Sequence, residues 1–135
     1  MREHIFKAKR LDNNEWVQGY YVVLKDSYKN RTSYRIYTGD AESEFVDYNE
    51  TNFYAEWFEV YPNTICEFTG ITDKNDKMIF EHDIIKFINW KGNFEQKEVI
   101  YDSEWNRFCV WVNGGSYGVN KHLSDDIEVI ENVYE

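Results

Sequence analysis

An all-β fold with little helix is what this sequence predicts, arranged as an open N-terminal β-meander followed by a small C-terminal barrel. Three observations predict it. Short β-branched and aromatic runs recur along the chain, broken by Asn, Asp and Gly clusters that suit turns. Few stretches place apolar residues at i, i+3 and i+4 over three turns, as an amphipathic helix requires. Aromatic residues make up 19% of the 135 residues against a single proline, a composition of ordered structure.

The elements follow in chain order. Ile5 to Arg10 reads as a strand and Asp12-Asn13-Asn14 as a turn. Trp16 to Leu24 is a long strand in which Gly19 marks a bulge or a close backbone approach. Asp26 to Thr32 is a polar turn, and Ser33 to Tyr37 a strand closed by Gly39-Asp40. Residues 40–56 interleave Asp40, Glu42, Glu44, Asp47 and Glu50 with Phe45, Tyr48, Phe53 and Tyr54, which suits an acidic loop or a short helix. Trp57 to Tyr61 resumes a strand that Pro62-Asn63 breaks.

In the second half, Ile65 to Ile71 and Lys77 to Phe80 flank the hairpin turn Asp73-Lys74-Asn75-Asp76. Asp83 to Ile88 is a strand, Lys91-Gly92-Asn93 a turn, and Phe94 to Tyr101 and Arg107 to Val112 a hairpin around Ser103 to Asn106. Asn113-Gly114-Gly115-Ser116 is a turn, Asn120 to Ser124 one helical turn, and Ile127 to Tyr134 a last strand with Ile127, Val129 and Val133 inward. Short strands spaced about ten residues apart suit a small barrel or sandwich, and five of them with one helical turn before the last suit an SH3-like barrel. The division expected is an N-terminal β subdomain at 1–62 and an SH3-like subdomain at 63–135.

Charge is segregated. Residues 1–37 hold eight Lys/Arg against four Asp/Glu, and residues 38–68 none against eight, within a total of −10. Phosphate contacts need clustered cations, so the total argues against a nucleic-acid partner, and only the first third offers a basic face. Alternation places Lys7 and Lys9 opposite Phe6 and Ala8. No apolar run approaches the roughly 20 residues of a membrane-spanning helix. Met1 to Arg10 holds no secretory apolar stretch, so a cytoplasmic location is expected. Cys66 and Cys109 lie in strand-like apolar runs and are expected to be buried free thiols.

The residues that carry chemistry elsewhere are sparse. His82-Asp83 resembles an acid–base pair, but no Ser or Cys lies near it in sequence, and neighbours on a strand point to opposite faces. His4, His82, His122, Cys66 and Cys109 lack the close pairing of zinc ligands. The acids at 40, 42, 44, 47 and 50 lack the central glycine and closing glutamate of a calcium loop. Asn113-Gly114-Gly115 has no phosphate-loop lysine. No catalytic, cofactor-binding or metal-binding residue is assigned.

Glu67 to Phe87, EFTGITDKNDKMIFEHDIIKF, resembles the signature of the YopX-like family of phage and prophage proteins. The matching residues are Phe68-Thr69-Gly70, Asp73-Lys74-Asn75, Ile79-Phe80-Glu81 and Asp83-Ile84-Ile85; the opening Met1-Arg2-Glu3 and the closing Ile127 to Glu135 are similar too. The resemblance implies an all-β fold with an N-terminal open sheet and an SH3-like C-terminal part, and it brings no catalytic residues. Asp76 and His82 stand where the family has glycine. Asp and His are among the residues that best tolerate a positive φ, so that geometry is expected at one or both.

The function expected is a non-enzymatic accessory protein that binds another protein or copies of itself, its first third meeting the acidic segment of a neighbour. Two alternatives stand beside it. One is an acidic decoy that mimics nucleic acid for a host DNA-binding protein. The other is weak nucleic-acid binding through the basic first third.

Overall fold

The computed structural model describes residues 4–47, 50–120 and 126–135, with side chains outside 40–55. It is all-β, with no α-helix among the described residues. Two units divide the chain, His4–Ile65 and, in the main, Cys66–Glu135.

Period-two patterning builds the first unit. Strands β1 (Phe6–Lys9), β2 (Trp16–Asp26), β3 (Arg31–Asp47) and β4 (Glu50–Glu59) pair in the order β4-β3-β2-β1, a sequential antiparallel meander. Phe6 and Ala8, Val17 and Tyr21, Tyr34 and Ile36 alternate onto one face and pack with Val60 and Ile65. The turns use residues that accept positive φ: Asn14 at 59° and Asn30 at 49°. Asp26 Oδ1 accepts the N–H groups of Tyr28 and Lys29, fixing the β2–β3 turn. A 3-10 turn at Pro62–Thr64 follows β4.

Two expectations fail here. Gly39-Asp40 does not close a strand, and the described residues within 40–56 form neither an acidic loop nor a helix. β3 continues to Asp47 and pairs back from Ala41↔Ala55 to Asp47↔Glu50. Gly39, at φ +84, sits in a stretch of shifted register between Tyr37 and Ala41, so the glycine kinks the strand instead of ending it. The acids at 40, 42 and 44 recur every second residue, which is the period of a strand.

The second unit holds β5 (Cys66–Thr72), β6 (Met78–Phe80), β7 (Asp83–Ile88), β8 (Phe94–Glu98), β9 (Ile100–Asp102), β10 (Arg107–Val112), β11 (Gly115–Gly118) and β12 (Glu128–Asn132). β5 and β6 form a hairpin, and two three-stranded sheets run in the orders β12-β7-β8 and β11-β10-β9. Ile85 and Phe87 from β7, Phe108, Val110 and Val112 from β10, and Ile79, Val99, Ile127 and Val129 fill one shared core. Each such side chain contributes about 1.5–3 kcal/mol by leaving water.

Three boundaries differ from the sequence reading. The strand expected over Phe94 to Tyr101 is two strands in different sheets. Buried Val99 is the corner: its N–H donates to Asp83 O at 2.8 Å and its carbonyl accepts from His82 N at 2.7 Å. The turn expected over Asn113 to Ser116 is only Asn113-Gly114, at φ 50° and 80°, the two-residue hairpin geometry. Gly115 and Ser116 already pair with Val112 and Trp111. Val133 faces outward, because the register shift between Val129 and Glu131 reverses the alternation and turns Asn132 inward. The helical turn expected over Asn120 to Ser124 lies outside the described residues except for Asn120.

Asp76 and His82 both have positive φ, 62° and 70°. Substituting Asp76 with Gly should leave stability within about 0.5 kcal/mol of the parent, whereas Asp76→Val should cost about 1–2 kcal/mol, because a β-branched residue resists the left-handed region. Urea midpoints at unchanged slope measure both. A valine variant as stable as the parent would remove this account of the turn.

Candidate interaction surface

A cavity of about 260 Å³ opens between two hairpin tips of the second unit. Phe87, Ile88, Asn89 and Trp90 line it from the end of β7 and the turn beyond, and Val112 and Tyr117 from β10 and β11. The β7–β8 turn is built to hold Trp90 out. Asn89 Oδ1 accepts from Lys91 N and Asn93 N at 2.9 and 3.0 Å, while Asn89 N donates to Asn93 O. Trp90 is 74% exposed and Phe94 65%, both unusual for such large apolar groups. Lys91 Nζ lies 5.1 Å from the Trp90 ring and Lys86 Nζ 4.6 Å from Phe94, so each ring carries a cation on its face.

The signal for these residues was the strand alternation. Asp83, Ile85 and Phe87 point inward, so Ile88 and its cross-strand partner Phe94 point outward. An aromatic excess was evident in the composition. Which rings flank a pocket depends on pairing across strands, which composition does not carry.

The signature stretch turns out to be a set of buried polar ties. Thr69, Asp73, Asp83 and Asn132 are the buried polar side chains among the described residues, and three of them fall within Glu67 to Phe87. Thr69 Oγ1 donates to Ile79 O at 2.8 Å. Asp83 Oδ2 accepts from Phe80 N at 2.8 Å, and its Oδ1 accepts from Asn132 Nδ2 at 2.9 Å. A buried carboxylate is tolerable only when so satisfied.

Asp83 is thus occupied away from His82. The His82 ring meets Glu98 Oε2 through Nδ1 at 2.9 Å, lies 3.9 Å from Glu81, and packs edge-on against Tyr134. Burial raises the Glu81 carboxyl above its ordinary value, and the neighbouring His82 opposes the rise. Burial, aided by Asp102, also raises the Cys109 thiol, which disfavours the reactive thiolate. Cys66 and Cys109 are both buried, and neither is in a disulfide. No group of three His, Cys, Asp or Glu among the described residues is placed to hold a metal ion, and His122 lies outside them. No helix among those residues is long and apolar enough to cross a membrane.

In the first unit, Ala8 is fully buried, and Lys7 and Lys9 lie on the opposite face with their ammonium groups 4.5 and 5.0 Å from the Trp16 ring. The side chains of the acids from Asp40 to Glu50 lie outside the described residues.

A family model described as YopX protein matches residues 5–135. No curated protein matches the chain.

Proposed function

The chain belongs to the YopX protein family, and from that premise we propose that it is a phage- or prophage-encoded, non-enzymatic accessory protein that binds a protein partner through the aromatic pocket of its C-terminal unit. The two three-stranded sheets around one core are read as an SH3-like barrel acting in the cytoplasm. The pocket carries this reading. It is apolar, sized for one or two side chains, and rimmed by exposed aromatic rings, the residue class that anchors interfaces. Lys86 and Lys91 beside Phe94 and Trp90 favour an apolar partner segment flanked by acids. The decoy reading rests on the total charge of −10 and the acidic run at 40–59 and stands second.

Trp90→Ala should weaken partner binding about thirtyfold or more, as truncation of a central aromatic anchor does. Affinity capture from nuclease-treated host lysate, run in parallel with wild type and Trp90→Ala, tests it. Capture that the substitution leaves unchanged would remove the pocket from the interaction. Sedimentation at low and high sodium chloride decides whether the partner is a second copy. Association through the charged segments should weaken as salt rises.

A further inference from the structure

The first unit has a second face that its own core does not use. Register aligns Tyr20, Tyr37 and Trp57 in one row across β2, β3 and β4, and Val22, Arg35 and Glu59 in the next. Alternation turns both rows away from the core row of Tyr21, Ile36 and Phe58. Tyr20 is 56% exposed and Trp57 42%. The Arg35 guanidinium stacks 3.7 Å from the Trp57 ring centroid.

Beside that stack lies a concavity of about 400 Å³ whose lining includes Lys25, Lys29, Arg31 and Arg35. Two carboxylates also line it, and both are engaged within the sheet. Glu59 accepts from Arg31 and Ser33, and Asp26 from the backbone of its own turn. Arg35 donates to the neutral hydroxyls of Ser33 and Tyr37. The fully exposed ring of Tyr28 stands on the turn between Lys25 and Lys29.

We propose that this open sheet face binds single-stranded nucleic acid, with bases stacking on Trp57 and Tyr20 and phosphates meeting Lys25, Lys29 and Arg35. A segment of acidic side chains alone would be drawn by the same cations but brings no planar group to cover the row of rings. A strand with splayed bases uses both, and a sheet carrying aromatics is a known geometry for it. The total charge of the chain opposes binding at long range. The cations act locally, within a Debye length of about 8 Å at physiological salt.

Fluorescence anisotropy of a labelled oligothymidylate of about 15 nucleotides, titrated with the full chain from about 50 to 200 mM salt, tests the proposal. Binding should weaken with salt at a logarithmic slope near −2, the value for about three neutralised phosphates on a single strand. Trp57→Ala should weaken it about tenfold, Trp57→Phe should restore most of the loss, and the exposed-site variant Lys25→Glu should weaken it with the fold intact. Absence of binding at low salt overturns the proposal. So does binding indifferent to Trp57→Ala, or binding that polyglutamate displaces as readily as unlabelled oligonucleotide, both of which would mark a dock for an acidic protein. Trp90→Ala should leave oligonucleotide binding unchanged, which separates this site from the protein-binding pocket.

Discussion

Asp73→Ala is expected to lower the unfolding free energy by about 3–5 kcal/mol. Asp73 is only 4% exposed. Its Oδ1 accepts the N–H groups of Asn75 and Lys77 at 2.8 and 2.9 Å, closing the β5–β6 turn. Its Oδ2 accepts from Val129 N at 3.0 Å, tying that turn to β12. Truncation leaves three backbone donors without their acceptor, each worth about 1–3 kcal/mol when buried. Asn in its place would retain one oxygen and turn an N–H₂ toward a donor, so Asp73→Asn should also destabilise, by a smaller amount. Urea unfolding measures both, and a loss below about 1 kcal/mol for Asp73→Ala would show that water replaces the carboxylate at little cost.

The same tie has a pH signature. Burial pushes the Asp73 carboxyl up, but the N–H groups of Val129, Lys77 and Asn75 outweigh burial and hold it below its ordinary value of 3.8. A carboxyl depressed in the folded state stabilises fully above its unfolded value and loses that contribution as pH falls through the folded one. The gap between wild type and Asp73→Ala should therefore be constant near neutrality and narrow below about pH 4. Glu81 has the opposite sign. Its carboxyl is raised by burial, so its contribution is present below the ordinary value and is lost as pH rises through the folded one.

Much of this fold was legible because its determinants are local. Asn14, Asn30, Asp76, His82, Asn106 and Asn113 all take positive φ, and each sits where the sequence reads as a turn or departs from a family glycine. The partner of Asp73 was not legible, since Val129 lies 56 residues away and a hydrogen bond to a backbone N–H leaves no mark on the partner's identity. The corner at Val99 and the bulge after Val129 were hidden for a related reason. A valine in an alternating run looks the same whether the strand continues or changes sheet. The basic face was half visible. Alternation separates Lys7 and Lys9 from Phe6 and Ala8, but the row of Tyr20, Tyr37 and Trp57 exists only through the register of three strands.

Gly19→Ala should disrupt the first unit's sheet at a cost of about 3 kcal/mol or more, at the upper end of overpacking penalties, because backbone must move. A Cβ on Gly19 would run into Tyr37 O and lie 2.8 Å from Tyr37 C, well inside contact distance. Neither atom is the end of a flexible side chain. The constraint is space: Gly19 lies one residue beyond the Tyr20↔Tyr37 pair of β2 and β3, beside the register shift that carries β3 past Gly39. Gly114 supplies the contrast. A Cβ there would meet nothing within 4 Å, and only its φ of +80 resists substitution. Gly114→Ala should therefore cost about 1–2 kcal/mol, the strain of one left-handed residue. Amide hydrogen exchange separates the two, since Gly19→Ala should strip protection from β2 and β3 around Tyr20 and Tyr37. Gly114→Ala should affect only the β10–β11 turn. Equal, small losses from both would mean that the β2–β3 ladder can open at Gly19 without strain, and that the close approach does not set the path of β3.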